Sequence, residues 1–186
     1  MSLLPLGILS QGGPAGGGAF ELIETQILAS TTTAVTFSAI PTIYKHLHIR
    51  ITARNTTGAS SRPITLRING DTASNYAYHN IRGNGSAGSG STATAQTSMV
   101  IANSPGATET ANIFAVALVD ILDYTNTNKT KAVRSFSGRY ASDGGIDYAG
   151  GHWNSTAAIT SVELADRMVS SSFATGTRIS LYGIGG

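Results

Sequence analysis

The histidines His46 and His48 are spaced so that they could bind one metal ion together. Residues i and i+2 of a β-strand project from the same face, so both imidazoles would point the same way. Neither a carboxylate nor a third histidine lies at a nearby spacing, and a polar strand face flanked by Arg50 and Arg54 explains the pair at least as well. We therefore predict no metal site.

A G-x-G-x-x-G pattern occurs at Gly83, Gly85 and Gly88. In dinucleotide-binding proteins this pattern opens a helix inside a βαβ unit, so that the helix N-terminus faces the phosphates. Residues 91–103, STATAQTSMVIAN, are instead rich in β-branched side chains and have no helical period. We predict that residues 83–91 form a flexible loop and that no cofactor is bound.

Asp143 and Asp147 are two carboxylates close enough in sequence to suggest calcium binding or acid/base catalysis. A calcium loop needs more oxygen ligands at closer spacing, and a glycosidase pair needs a cleft that one loop does not demonstrate. The chain has no cysteine, which excludes disulfides, zinc-thiolate sites and thiol catalysis. We predict that residues 143–147 form a turn and that the protein is not an enzyme.

The aromatic residues Trp153 and Tyr148 are the candidates for binding a ligand by stacking. Trp153 is the only tryptophan of the chain. It is either an anchor of the core or of an interface or, together with Tyr148, part of a platform on which a sugar ring stacks. The sequence leaves these interpretations open.

We expect β-strands to position all these residues, because apolar and polar side chains alternate with a two-residue period in much of the chain. In residues 46–54 the apolar side chains of Leu47, Ile49, Ile51 and Ala53 alternate with polar ones, which predicts a half-buried strand. Residues 64–83 read as a hairpin-like unit, with a turn at residues 69–71 and with Tyr76 and Tyr78 on one face of the second strand. The expected fold is all-β.

Residues 111–124, ANIFAVALVDILDY, are apolar at both odd and even positions. This pattern is typical of a buried helix or of a core strand covered on both sides. Because several of the side chains are β-branched and the neighbouring segments read as strands, we predict a central strand. A loop at residues 125–129 should join it to a partner strand at residues 131–140.

The N-terminal residues 1–19 differ in composition from the rest of the 186-residue chain. We predict two parts, a flexible apolar and Gly-rich docking arm at residues 1–19 and one β-sandwich domain at residues 20–186. The alternative for residues 1–19 is a disordered tail without a partner. The net charge of +2 does not favour a nucleic-acid partner, and no segment has the length of a membrane span. The apolar residues that would contact a partner are Leu3, Leu4, Pro5, Leu6, Ile8 and Leu9.

Several segments resemble a family of small virion proteins of tailed bacteriophages, common in cyanophages. The resemblance implies a jelly-roll-like antiparallel β-sandwich, assembled as a homotrimer on the virion, and gives the apolar arm a role in insertion into the larger assembly. It implies no catalytic residue. The matching segments are LLPLGILS, FELIETQ, FSAIPTIYKHLHIRITAR, INGDTASNYAYHNIRGNG, VDILDYTNTNKTKAVRS, HWNSTAAITSVEL and FATGTRISLYGI.

The sequence is compatible with three functions. The first is a capsid decoration (cement) protein that binds the major capsid protein or other virion proteins on the capsid surface, after assembly in the host cytoplasm. The second is a tail, head-fibre or receptor-binding module whose loops around Trp153 and Tyr148 bind glycans. The third, a carbohydrate-active enzyme, is disfavoured because no acid/base pair emerges. Neither nucleic acid nor a membrane is an expected partner.

Overall fold

The computed structural model describes residues 20–166 and 171–185, and within these ranges the chain forms twelve β-strands. The predicted N-terminal arm lies outside the described residues. Among the residues that are described, no helix has the length and apolar character needed to span a bilayer. The strands are β1 (Glu21–Ile27), β2 (Ala34–Phe37), β3 (His46–Ala53), β4 (Ser61–Ile68), β5 (Tyr76–Gly83), β6 (Gly88–Gln96), β7 (Met99–Pro105), β8 (Ala115–Ile121), β9 (Lys131–Arg139), β10 (Gly145–Trp153), β11 (Val162–Asp166) and β12 (Arg178–Ile184).

The strands form two antiparallel sheets that pack face to face. The larger sheet has eight strands in the order β1-β12-β3-β8-β9-β10-β5-β6, and the smaller has four in the order β2-β11-β4-β7. Strand β7 of the smaller sheet packs against β8, β9, β10 and β5 of the larger one. The predicted all-β sandwich is confirmed, and the jelly-roll connectivity stays a prediction.

The core lies between the inner faces of the two sheets, where alternate residues of each strand meet. On β3 the inward residues Leu47, Ile49, Ile51 and Ala53 are at most 2% exposed, as their alternation predicted. The β4 residues Ile64, Leu66 and Ile68 are equally buried on the facing sheet. Burial of apolar surface between the sheets is the main stabilising contribution of this arrangement.

The hairpin predicted for residues 64–83 is wrong. Strand β4 pairs with β7 and β11 in the smaller sheet, whereas β5 pairs with β10 and β6 in the larger one. The turn, with positive φ at Asn69 and Gly70, therefore carries the chain across the core. The Tyr76 hydroxyl accepts a hydrogen bond from the Ile68 N–H (2.9 Å) and lies 3.2 Å from the Asp71 carbonyl oxygen, to which it donates.

The flexible loop predicted for residues 83–91 is also wrong, because the true hairpin is here. Gly83 pairs with Gly88 at the ends of β5 and β6. The Asn84 side-chain oxygen accepts hydrogen bonds from the N–H groups of Ser86 (3.0 Å) and Ala87 (2.8 Å), which closes a tight turn. The glycine pattern thus spans a strand end, a turn and a strand start.

Strand β8 occupies a central position in the larger sheet and pairs with β3 and β9, so both the central strand and its partner strand are confirmed. The expectation that β8 is covered on both sides is wrong. Its outward residues Val116 and Leu118 are 55% and 41% exposed. Because the smaller sheet covers only one face of the larger sheet, the second apolar set of this strand faces outward.

Candidate functional site

The outer face of the eight-stranded sheet carries a group of large apolar side chains, which we call the outer apolar patch. Exposed apolar clusters of this kind mark interaction sites more often than random surface does. Four adjacent strands contribute to it, namely β8, β9, β10 and β5. Its members are Ile81, Val116, Leu118, Phe136, Ile146 and Tyr148, which are between 41% and 65% exposed.

The register of the sheet aligns the patch residues into a row. Leu118 lies opposite Phe136, Phe136 opposite Tyr148, and Tyr148 opposite Ile81. Directly opposite residues of antiparallel strands have Cβ atoms about 4.5–5.5 Å apart, so the four side chains contact one another along the row. One continuous apolar stripe results.

Glycines beside this stripe open a groove in the patch. Gly83, Gly88 and Gly90 lie on β5 and β6, and the cavity above them has a volume of about 630 Å³. Ile81, Phe136, Ile146 and Tyr148 form its apolar walls. A groove with aromatic walls and a glycine floor lets the backbone or apolar side chains of a partner approach closely.

The other half of the outer face, on β12 and β3, is polar and cationic. The Arg50 guanidinium carbon lies 4.9 Å from the centre of the Tyr182 ring and 5.7 Å from that of Phe20. The Phe20 ring also meets the His48 ring edge-on, with 5.3 Å between the ring centres. The patch therefore ends where β8 meets β3.

His46 and His48 each contact an aspartate residue on or next to strand β8, which their own sequence surroundings did not reveal. His48 Nδ1 lies 2.7 Å from Asp120 Oδ1 on the neighbouring strand β8, and His46 Nδ1 accepts a hydrogen bond from the Asp123 N–H at 2.9 Å. Within residues 20–166 and 171–185, no group of three or more His, Cys, Asp or Glu side chains is placed to hold a metal ion. The two histidines thus sit in separate polar contacts.

Asp120 lies between the outer apolar patch and the polar half of the outer face, where it contacts both His48 and Arg134. Its second carboxylate oxygen accepts a hydrogen bond from Arg134 Nε at 2.9 Å. Burial disfavours the charged form of Asp120, but the hydrogen bonds from His48 and Arg134 outweigh that effect and lower its pKa below the ordinary value. The carboxylate is therefore ionised at neutral pH and fixes the polar border of the patch.

The turn prediction for residues 143–147 is correct for Asp143 and wrong for Asp147. Asp147 lies inside strand β10, where it is 5% exposed and accepts a hydrogen bond from Arg139 Nη1 at 3.2 Å. Asp143 accepts from the Ser61 hydroxyl at 2.7 Å and from Arg139 Nη2 at 3.3 Å. Burial opposes ionisation of Asp143, yet the Ser61 hydrogen bond and the Arg139 charge lower its pKa. The two carboxylates thus belong to one ion-pair network around the buried Arg139, in which Asp147 is buried and Asp143 is partly exposed.

Trp153 and Tyr148 lie on opposite faces of β10, because they are five positions apart on the strand and successive side chains alternate between its faces. Trp153 is 3% exposed, and its indole N–H donates to Asp71 Oδ2 at 2.6 Å. The interpretation as a core anchor is confirmed, and the interpretation of Trp153 as a sugar platform is wrong. Tyr148 is 45% exposed within the outer apolar patch.

Asp71 should make the stability of the fold sensitive to acid. Hydrogen bonds from Asn75 and from the Trp153 indole lower its pKa below the ordinary value of about 3.9. A carboxyl with a lower pKa in the folded state stabilises the fold above the unfolded pKa, and this contribution is lost as the pH falls through the folded value. We expect Asp71→Asn to be less stable at pH 7 and to lose less stability on acidification.

Urea unfolding of parent and variant at pH 7 and at pH 3 measures this effect. Glu24→Gln, which removes an exposed carboxylate on the edge strand β1, is the control and should follow the parent. Parallel curves for the parent and Asp71→Asn across this range would show that Asp71 makes no such contribution.

The outer apolar patch is the feature of the described residues that is best suited to binding. Asp143 and Asp147, the two carboxylates considered for catalysis, are both held in ion pairs with Arg139. The chain was compared with protein-family models and with curated proteins, and neither comparison found a match.

Proposed function

We propose that this chain is a structural protein of a bacteriophage virion, namely a capsid decoration (cement) protein that binds the outside of the capsid. The observation that carries the proposal is the outer apolar patch. It lies on the exposed face of the eight-stranded sheet, whose opposite face is buried against the smaller sheet. The sequence resemblance to small virion proteins supports the same function. The proposed partners are the major capsid protein or other virion proteins, and further copies of this chain.

The area of the patch suits a protein partner. From their exposed fractions, its six side chains present on the order of 600 Å² of apolar surface. The largest patch on an ordinary monomer is about 300–600 Å², and a stable interface buries about 800 Å² on each partner. The patch therefore lies at the upper end of the range for a monomer and would supply most of the area that one partner buries in a specific interface.

The chemistry of the patch also suits a protein partner. Protein interfaces have an apolar centre, enriched in aromatic residues, with a polar rim. Here Phe136 and Tyr148 lie side by side at the centre, and Asp120 and Arg134 border them at one end. Aromatic side chains at the centre of an interface often dominate the binding energy. Phe136 is therefore the residue to replace first.

A homotrimer would strengthen attachment to a capsid. One patch and one arm make a modest contact, but three linked copies engage neighbouring capsid subunits at a high effective concentration. Under this proposal the arm at residues 1–19 contributes further apolar contacts on the capsid. Clamping neighbouring subunits together would stabilise the shell without any catalytic chemistry.

Phe136→Ser should weaken binding to capsids by roughly 30-fold at each site, which corresponds to about 2 kcal/mol for the loss of a central aromatic contact. The measurement is co-sedimentation of the purified protein with capsids of the phage that encodes it. Ile43→Ser is the matched control, because Ile43 is 60% exposed and lies outside the patch. Equal retention of the two variants would refute docking through the patch.

A receptor-binding function on a fibre is the second candidate, and one observation favours it. A cavity of about 220 Å³ beside the patch is lined by Phe136, Tyr148, His48, Asp120 and Arg134, among others. Aromatic faces and charged hydrogen-bonding groups together are suited to a sugar ring. Binding of host polysaccharide that is lost in Tyr148→Ala, with capsid retention unchanged, would favour this function over the first.

A further inference from the structure

A cleft on the polar half of the outer face lies between strands β12 and β3, outside the outer apolar patch. Its volume is about 270 Å³. Two arginines and three hydroxyl-bearing side chains line it, namely Arg50, Thr52, Arg178, Ser180 and Tyr182. We call it the arginine cleft. Each of the five side chains carries a hydrogen-bond donor, and the two guanidinium groups carry a permanent positive charge.

The register of the sheet brings the two arginines of the cleft together. Ser180 lies directly opposite Arg50, and Arg178 is two positions before Ser180 on the same strand. Such diagonal neighbours have Cα atoms about 7–8 Å apart, which is within reach of long side chains. Ile51 and Ile179, which follow the two arginines, are buried in the core. Arg50 and Arg178 therefore both project outward and are exposed.

The two positive charges have no counter-charge in the described part of the chain. Within residues 20–166 and 171–185, neither guanidinium, that of Arg50 or that of Arg178, forms an ion pair or donates a hydrogen bond. Asp120 lies on the other side of β3 and already accepts hydrogen bonds from His48 and Arg134. Its charge is therefore compensated elsewhere.

The carboxylates of the edge strand β1 point away from the arginine cleft. Glu24 lies opposite Leu181, and Glu21 lies opposite Gly183, which are inward positions of β12. Directly opposite residues share a face of the sheet, so both glutamates project to the inner side. The repulsion between the two neighbouring arginines is thus not relieved by a carboxylate of β1.

Neighbouring groups hold the donors of the cleft in place. The Arg50 guanidinium packs against the rings of Tyr182 and Phe20, which restricts its motion while its N–H groups, lying in the guanidinium plane, can still donate. The Thr25 hydroxyl donates to the Ser180 hydroxyl at 2.8 Å, and Ser180 is 3% exposed. The Ser180 proton can therefore be donated to an acceptor in the cleft.

We propose that the arginine cleft binds one phosphate or sulfate group, either as a free ion or as an ester on a larger molecule. A tetrahedral anion presents its oxygens in several directions, which suits donors that approach from two strands and from the sheet surface below. A carboxylate would be matched by one guanidinium alone. The bound anion relieves the repulsion between the two arginines. This site goes beyond the proposed capsid function and does not depend on it.

Titration of the full chain with sodium phosphate, and separately with sodium sulfate, tests the proposal at pH 7 and constant ionic strength. The NMR signals of the Arg50 and Arg178 side-chain N–H groups should shift saturably, with a dissociation constant of about 1 mM or lower. Arg178→Gln should weaken binding by about tenfold or more, as should Arg50→Gln. The fold should persist in Arg178→Gln, because the exposed guanidinium has no ion pair within the described ranges to lose.

Arg67→Gln is the matched control, since it removes the same charge from the smaller sheet, where Arg67 pairs with Glu163. It should bind both anions as the parent does. Ser180→Ala changes no charge and should weaken binding by roughly fivefold, through the loss of one hydrogen bond to the anion. Equal weakening by the Arg67, Arg50 and Arg178 variants would overturn the proposal, because the attraction would then arise from net charge alone. Absence of a saturable shift with either anion would overturn it too.

Glucose 6-phosphate and acetate identify the kind of ligand. Tighter binding of the sugar phosphate than of inorganic phosphate would support an ester as the ligand, and weaker binding would support the free ion. Acetate that binds as tightly as sulfate would contradict the assignment of a tetrahedral anion. Phe136→Ser should bind phosphate as the parent does, since Phe136 does not line the cleft. Failure of the capsid proposal would therefore leave this result unchanged.

Discussion

Replacement of Arg139 by Met is expected to destabilise the protein by about 3–5 kcal/mol, because it leaves a buried carboxylate without its partner charge. The Arg139 side chain is fully buried, and that of Asp147 is 7% exposed. Arg139 Nη1 donates to Asp147 Oδ2 at 3.2 Å, and Nη2 donates to the Asp143 carbonyl oxygen at 2.8 Å. Equilibrium unfolding in urea measures the loss.

Arg134→Met is the matched control, since it makes the same change on the same strand at an exposed position. The Arg134 side chain is 60% exposed, and its pair with Asp120 lies on the surface. Exposed ion pairs contribute about 0–1 kcal/mol, so this variant should remain close to the parent. Similar losses for the two arginine variants would contradict the assignment of a buried pair.

The double variant Arg139→Met with Asp147→Leu should recover much of the lost stability. Among the buried side-chain atoms of the described residues, Arg139 Nε and Asp147 Oδ1 have no hydrogen-bond partner. The network is therefore incompletely compensated, and a buried ion pair of this kind is often no more stable than an apolar replacement of similar volume. A double variant as unstable as Arg139→Met alone would show that the cost arises from packing.

Gly151→Val is expected to destabilise the protein by about 3 kcal/mol or more, or to prevent soluble expression, because the core has no space for a side chain there. Gly151 lies on the inner face of β10. A Cβ atom at this position would clash with the Ala77 carbonyl oxygen and lie 2.6 Å from Met99 Sδ and 2.8 Å from Tyr78 Cβ. The carbonyl belongs to the paired strand β5 and cannot move without breaking the sheet.

Gly150→Val, one residue earlier, is the control for this substitution. Gly150 projects from the outer face, and a Cβ atom there meets nothing within 4 Å. Valine is favoured in strands, so this variant should unfold within a few degrees of the parent. Soluble yield and the thermal unfolding midpoint compare the two variants. A stable Gly151→Val protein would show that the two sheets pack less closely at this point than the structure indicates.

Strand positions and their inward faces were predictable because alternation is a local property. A strand with one buried face repeats every two residues, so Leu47, Ile49 and Ile51 identify both the strand β3 and its core side. The same holds for Tyr76 and Tyr78 on β5, which are 2% and 8% exposed.

Strand pairing was not predictable, because two amphipathic strands give the same pattern whether they pair within a sheet or face each other across a core. Strands β4 and β5 were expected to form a hairpin, but they lie in different sheets. Likewise, Asp120 is 72 residues from His48. Contacts over such separations leave no local signal in one sequence.

The sequence by itself determined an all-β protein, the inward residues of its strands and the absence of thiol chemistry. The tertiary structure alone decided which apolar residues remain outside. Strands β8, β9 and β10 carry apolar side chains on both of their faces, and the smaller sheet covers only one of these faces. The exposed apolar surface therefore includes Leu118, Phe136 and Tyr148. The buried interior includes Trp153 and Asp147. The physical reason is that burial depends on what packs against each face, which neighbouring residues in the chain do not specify.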